Sequence, residues 1–396
     1  MRSRQQRSDA AQRQFAMLDA VVANLTCACL APPQGDSRLA VFLRVQGQAQ
    51  TRYSRKIFRN LSEALTALQK AGWIGLQPGS KKTGLTTIIF PLESFQERLR
   101  AAGATLDDIE QEEPETIILT RKEWGFADNP TMPGSTRWER RSTQSDYRDT
   151  GKTKKLRAEV ARINRHLRTA DIRFTGDEPV DTSKRVLRRY FTQPLGDNKP
   201  RFDLGGRLFG GWWQSLKRHQ RRFIRIDGEP IADLDFKSLF PRLALLGMGH
   251  PQPEDGIDLY AVPGLEGHRD GVKAAVATLL FNDGPKRGLP AEVAAKLPAG
   301  WSIRRIRDTI HDHHPSLADC FERGLGLHLM WKESCILVYA ALALNERGIT
   351  ALGMHDGIMV AASRADEAIA IMEKTAELHV LARLPVVRKE LKGEET

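Results

Sequence analysis

Leu61, Leu65 and Leu68 recur at helical spacing behind Asn60 and Glu63, a capping-box-like start, and Gly72 ends the run, so a short helix is expected to finish at Ala71. Residues 73–77 and the β-rich residues 85–90 flank the turn at 78–84, which predicts a hairpin with a cationic tip at Lys81 and Lys82. Further on, residues 231–242 alternate: Leu234 and Phe236 fall on one side, and Asp233 and Asp235 on the other. That pattern predicts a strand from which Asp235 projects rather than hides in the core. Residues 350–361 predict a second hairpin, with His355, Asp356 and Gly357 at its turn. Between the two, residues 269–282 have the helical period, and Arg269, Lys273, Ala277 and Phe281 fall on one stripe.

Charge changes this picture. The 396 residues carry 60 Lys and Arg against 49 Asp and Glu, a formal +11, and this favours a polyanionic partner. The surplus is local: residues 151–225 hold 20 Lys and Arg against 7 Asp and Glu, while the rest of the chain is slightly acidic. Phe174, Tyr190, Phe191, Trp212 and Trp213 are interleaved with those cations, as expected along a nucleic-acid backbone. The plainer alternative is a solvated helix face, since Arg157, Arg162, Arg165 and Arg168 can share one helix. Composition is that of an ordinary globular chain, 41% hydrophobic and 28% charged. Four cysteines without a CxxC pair suggest neither a disulfide framework nor a zinc site and fit a reducing cytoplasm. The basic N-terminal stretch is followed by no secretory apolar core. The longest apolar run, residues 335–344, is too short to span a bilayer, so no membrane role is expected.

The helix and basic-tipped hairpin of residues 1–106 resemble a winged helix-turn-helix, a fold that binds DNA or protein, with residues 53–59 adding phosphate contacts. The acidic residues 107–116 and the Pro/Gly/Ser-containing residues 127–136 place a connector over 107–150. A basic segment follows over 151–203, and the chemistry-bearing segment over 204–396.

Two carboxylates far apart in sequence but on adjacent strands, Asp235 and Asp356, could hold two divalent ions ~3.5–4 Å apart for in-line phosphoryl displacement. Either Asp alone is an ordinary strand-end or turn residue. A helix with two cations one turn apart can grip a triphosphate, and an aromatic further along can stack on a base. Standing alone, the same helix is a surface helix with Arg and Lys snorkelling over a buried Phe. Gly151, Lys152 and Thr153 do not form a phosphate loop, because Asp146 stands at the upstream glycine position and no apolar strand precedes it. His311, Asp312, His313 and His314 lack a spaced ligand set and fit a solvated helix end.

Taken in order, residues 204–214 (LeuGlyGlyArgLeuPheGlyGlyTrpTrpGln), the Asp235 strand, the Arg269/Lys273 helix and the His355–Asp356 hairpin resemble the motifs of family A DNA polymerases and the related single-subunit, phage-type RNA polymerases. The resemblance covers about half of the chain, residues 204–380. It implies an α+β, right-hand polymerase palm with reduced fingers, with the basic segment over 151–203 in the place of a helical thumb; the winged-helix-like domain, read separately, precedes them. It also implies that Asp235 and Asp356 are the metal-binding carboxylates and Arg269 and Lys273 the triphosphate contacts. By the same resemblance Phe281 stands at the sugar and templating base, Arg207 beside the primer-template duplex and His355 beside the primer end.

Three departures bear on substrate. Gly357 stands where family A DNA polymerases usually carry Glu. Phe240 replaces the family A Glu that excludes a ribose 2′-hydroxyl, and residues 235–241 (AspPheLysSerLeuPhePro) look like the family B version, whose steric gate is aromatic. That argues for deoxynucleotides. Against it, residues 276–281 look more like the RNA polymerase helix, and Phe281 lacks the hydroxyl that helps to discriminate sugars. No acidic exonuclease signature precedes Leu204.

The expectation is therefore a cytoplasmic, template-directed nucleotidyltransferase using two Mg²⁺ ions, a DNA primer-template and nucleoside triphosphates, with Lys81 and Lys82 contacting DNA. A compact DNA polymerase, in the replication of a mobile element, leads. An RNA polymerase or primase on the same palm, and a non-catalytic DNA-binding replication initiator, are the alternatives.

Overall fold

A computed structural model of the chain describes residues 4–31, 37–41, 51–53, 61–79, 86–109, 114–128, 136–194, 196–285 and 287–390. The chain divides into two compact units, Met1–Glu115 with Gly176–Lys184, and Thr116–Thr175 with Arg185–Thr396. Both contain helices and sheets, so the fold is mixed, of α+β type.

The first unit contains α1 (Arg4–Leu30), β1 (Leu39–Val41), α2 (Leu61–Lys70), β2 (Ile74–Gln77), β3 (Thr87–Pro91) and α3 (Glu93–Ala102). The leucine spacing that predicts α2 is also the face it buries: Leu65 and Leu68 pack with Leu25, Ile74, Ile89 and Phe95 in one core. The strands form an antiparallel sheet of order β1-β3-β2, with Leu76 opposite Ile89. Lys81 and Lys82, at the tip of the expected hairpin, lie outside the described residues.

The second unit starts with a long antiparallel pair, β4 (Ile117–Asp128) and β5 (Thr136–Gln144), where the sequence suggested only a connector over 107–150. Ile117, Ile118 and Leu119 are all buried, which explains why a strand wins over the turn signals that follow it. Next come α4 (Gly151–Thr169), β6 (Ile172–Phe174), β7 (Arg188–Gln193) and β8 (Gly205–Phe209). The basic stretch is no separate body. Helix α4 buries Leu156, Val160, Ile163 and Leu167 and leaves Arg162, Arg165 and Arg168 exposed, while β7 joins β4 and β8 in a sheet of order β5-β4-β7-β8.

The remaining elements are β9 (Ile224–Ile226), β10 (Glu229–Phe236), α5 (Leu239–Gly247), α6 (Arg269–Phe281), α7 (Ala291–Ala294), α8 (Ile303–His313), α9 (Pro315–Ala318), α10 (Gly326–Glu346), β11 (Leu352–Gly353), β12 (Gly357–Ala361), α11 (Ala365–Val380) and β13 (Val386–Lys389). Strand β10 is the centre of a six-stranded sheet of order β11-β12-β10-β9-β6, and β13 also pairs with β10. From Ile231 to Phe236 every residue of β10 is buried, since strands flank it on both edges and α11 packs against it. Helix α10 is long and apolar enough to cross a membrane by length and composition, the only such helix among the described residues, yet more than half of its apolar window is buried in the fold against β8, α11 and α4.

Candidate active site

Asp235 stands at the C-terminal end of β10, and antiparallel pairing sets it opposite Gly357, the first residue of β12. Asp356, one residue earlier in the β11–β12 turn, is thereby delivered beside it. The turn is closed by the Met354 amide donating to the Gly357 carbonyl at 2.8 Å. Both carboxylates line a cleft of about 680 Å³ that also holds Arg207, Phe240, Arg269, Lys273 and Phe281. Seven of the ten site residues picked from the sequence thus share one cavity. His355, an eighth, is half-buried next to it, its ring 4.9 Å from that of Phe209.

The alternation in β10 predicted that Asp235 projects from a sheet, but the residue is only 8% exposed and lies on the cleft floor. That placement sets its chemistry. Burial, joined by the charge of Asp356, pushes the Asp235 carboxyl up to about 6, and Lys389 offsets only part of the rise. Asp235 Oδ2 accepts from Lys389 Nζ at 2.6 Å, whereas Oδ1 is buried without a hydrogen-bond partner. A buried, unpaired carboxylate oxygen beside a second carboxylate fits a hard divalent cation, and Mg²⁺ sites on phosphate substrates use one or two such carboxylates. Among the described residues no three His, Cys, Asp or Glu side chains gather into one ligand cluster.

The predicted stripe on α6 faces the cleft. Arg269, Lys273 and Phe281 are exposed and Ala277 is half-buried, while Val272, Ala275 and Leu279, none of which lines the cleft, are buried. Lys273 Nζ stands 3.9 Å from Asp356 Oδ2. Arg269 is held by Asp258, with Nε donating to Oδ2 at 2.7 Å and Nη2 to Oδ1 at 3.1 Å, and its guanidinium lies 5.2 Å from the Tyr260 ring centre. Phe240, on the first turn of α5, has its ring centre 6.0 Å from that of Phe281, and the Arg207 guanidinium sits 5.5 Å from Phe240. Phe281 is pressed onto α10 at Gly326, where a Cβ would come within 2.1 Å of the ring.

Sequence reasoning missed Asp258, Tyr260, Glu333, Lys389, Arg218 and Arg221, all in or beside the cleft. Glu333 is a lone carboxylate on the buried face of apolar α10, and that mismatch was a readable signal. Its Oε2 accepts from Arg207 Nε at 2.6 Å. Burial pushes Glu333 up to about 8 in spite of Arg207, with Asp356 and Asp235 adding to the rise. Lys389 gives no comparable signal, because only the β10–β13 register brings it to Asp233. Burial and then the Arg207 charge lower the His355 pKa, so the ring is neutral at physiological pH.

No known family profile matches the chain, and no curated protein matches it.

Proposed function

We propose that the protein is a template-directed nucleotidyltransferase, a compact DNA polymerase on a right-hand palm of the kind seen in family A DNA polymerases. The observation that carries this reading is the cleft itself: Asp235 and Asp356 on its floor, Arg269 and Lys273 on one helical wall and Phe240 packed against Phe281. Four sequence motifs that resemble that family in order thus contribute to one cavity.

Asp235 and Asp356 would hold Mg²⁺, two ions in the full complement, and the metal supplies charge stabilisation at the reacting phosphate and a more acidic primer 3′-hydroxyl. In the reaction that hydroxyl oxygen forms a bond to the α-phosphorus of a nucleoside triphosphate. The bond to the β-phosphate bridging oxygen breaks, pyrophosphate leaves, and the hydroxyl proton is lost to solvent. Lys273 and Arg269 bind the triphosphate and neutralise the charge that accumulates on pyrophosphate. Phe240, backed by Phe281 and Arg207, presents a bulky edge at the sugar, which favours deoxynucleotides. Arg207, oriented by Glu333, and His355 contact the primer-template. The first unit, with its helices and three-stranded sheet, acts as a winged-helix-like DNA-binding domain in a cytoplasmic enzyme of a mobile element.

Extension of a labelled primer-template in Mg²⁺, with dNTPs and rNTPs offered separately and Asp356→Ala as control, tests this. dNTP-dependent extension lost in the variant supports a DNA polymerase. rNTP preference moves the protein to an RNA polymerase or primase. No extension with either set, combined with sequence-specific DNA binding, identifies a non-catalytic initiator.

A further inference from the structure

The cleft floor contains a cation of its own. Strand β13 pairs with β10 so that Lys389 lies opposite Asp233, two residues from Asp235 and therefore on the same face of the sheet. From there its half-buried side chain reaches Asp235, with Nζ 2.6 Å from Oδ2. Among the described residues this contact is tighter than any other cation makes with either aspartate: Lys273 reaches Asp356 only at 3.9 Å. The remaining oxygen, Asp235 Oδ1, is buried and unpartnered. One oxygen of the principal carboxylate is thus occupied by an ammonium, and the other has no donor.

The geometry points to Lys389 as an internal counter-ion that occupies part of the divalent-cation site in the free protein and that a metal ion must displace from Asp235 Oδ2. The inference rests on Asp235 and Asp356 being the cation ligands. An ammonium neutralises one buried carboxylate, and a bare Asp235 beside Asp356 is costly to keep ionised in a desolvated cleft. A divalent ion supplies twice the charge and can engage both carboxylates. Displaced, the Lys389 ammonium remains at the cleft floor, where the anionic ligand of a nucleotidyltransferase would lie. Loading the metal therefore releases a positive charge toward phosphate and makes binding of the two cooperative.

The test is Mn²⁺ binding by the full chain, read from the electron paramagnetic resonance signal of free Mn²⁺ at pH 8, for wild type, Lys389→Met, Asp235→Asn and Arg221→Met. Arg221→Met removes a cation that lines the same cleft and reports through-space charge alone. Lys389→Met is expected to bind Mn²⁺ about tenfold tighter than wild type, the equivalent of ~1.4 kcal/mol, and Arg221→Met less than about threefold tighter. Metal-free Lys389→Met should melt below wild type and recover to at least the wild-type melting point when saturated with Mn²⁺, which also shows that the variant folds. Equal or weaker Mn²⁺ binding by Lys389→Met, or an equal gain in Lys389→Met and Arg221→Met, overturns the displacement. If wild type binds no Mn²⁺, or Asp235→Asn binds it as well as wild type does, the assignment of the carboxylates fails, and the inference with it.

Discussion

Asp235 and Gly357 face each other across β10 and β12, and the pairing is so close that a Cβ on Gly357 would lie 2.2 Å from the Leu234 carbonyl oxygen. Glycine is the residue that lets the Asp356 turn close on the Asp235 strand. A larger residue there, including the Glu usual in family A DNA polymerases, would collide with backbone that cannot rotate away. Gly357→Ala is accordingly expected to destabilise the protein by roughly 3 kcal/mol or more, measured by urea unfolding. A loss below ~1 kcal/mol would show that the two strands can separate without cost.

Asp235→Asn and Asp356→Asn should each reduce primer extension on the order of a thousandfold while leaving the circular dichroism spectrum unchanged. Retention of activity in either variant would remove the paired-carboxylate mechanism.

Phe240 lies against both Phe281 and Arg207, so its ring is held in place at the cleft wall. Phe240→Ala is expected to raise incorporation of ribonucleotides relative to deoxynucleotides by roughly 10–200-fold, the range for a discrimination set by pocket shape. Single-nucleotide insertion kinetics with matched dNTP and rNTP check this.

Arg269→Ala and Lys273→Ala should each weaken nucleotide binding by roughly 10–100-fold, because each removes a charge-assisted phosphate contact. Asp258→Asn should have a smaller effect in the same direction, since it loosens Arg269 without removing it. Fluorescence titration with a nucleotide analogue separates the three.

Glu333 gives a stability prediction with a definite sign. Its carboxyl titrates about 8 in the fold against an ordinary 4.5, so between those values the folded state binds the proton more tightly than the unfolded chain. Stability then falls as pH rises through that window. Glu333→Gln removes this dependence: without divalent ions, it should gain on wild type between pH 5 and pH 8, approaching ~1 kcal/mol per pH unit in mid-window. Parallel stability curves for the two proteins would mean that Arg207 keeps Glu333 ionised throughout.

Local pattern carried much of the fold and most of the candidate site. The period of Arg269, Lys273, Ala277 and Phe281 specifies which face of α6 stays unburied whatever it packs on, because 3.6 residues per turn is a property of the helix alone. The β-branched and apolar run of β12 and the turn at His355–Gly357 likewise declare a hairpin without reference to the rest of the chain. Turn signals misled at residues 107–150, where the buried run Ile117–Leu119 shows that pairing with β7 decides the matter.

What tertiary structure alone decided is which distant charges meet. Asp235 and Asp356 become neighbours through strand register, Lys389 arrives through the pairing of β13 with β10, and Glu333 reaches Arg207 because α10 packs on β8. Burial, also a property of the assembled fold, turns an ordinary strand-end aspartate into a carboxyl that titrates near 6. Periodicity is set by bonds between near neighbours and so is written in the sequence. Proximity and desolvation depend on contacts across a hundred residues or more, and no local pattern encodes them.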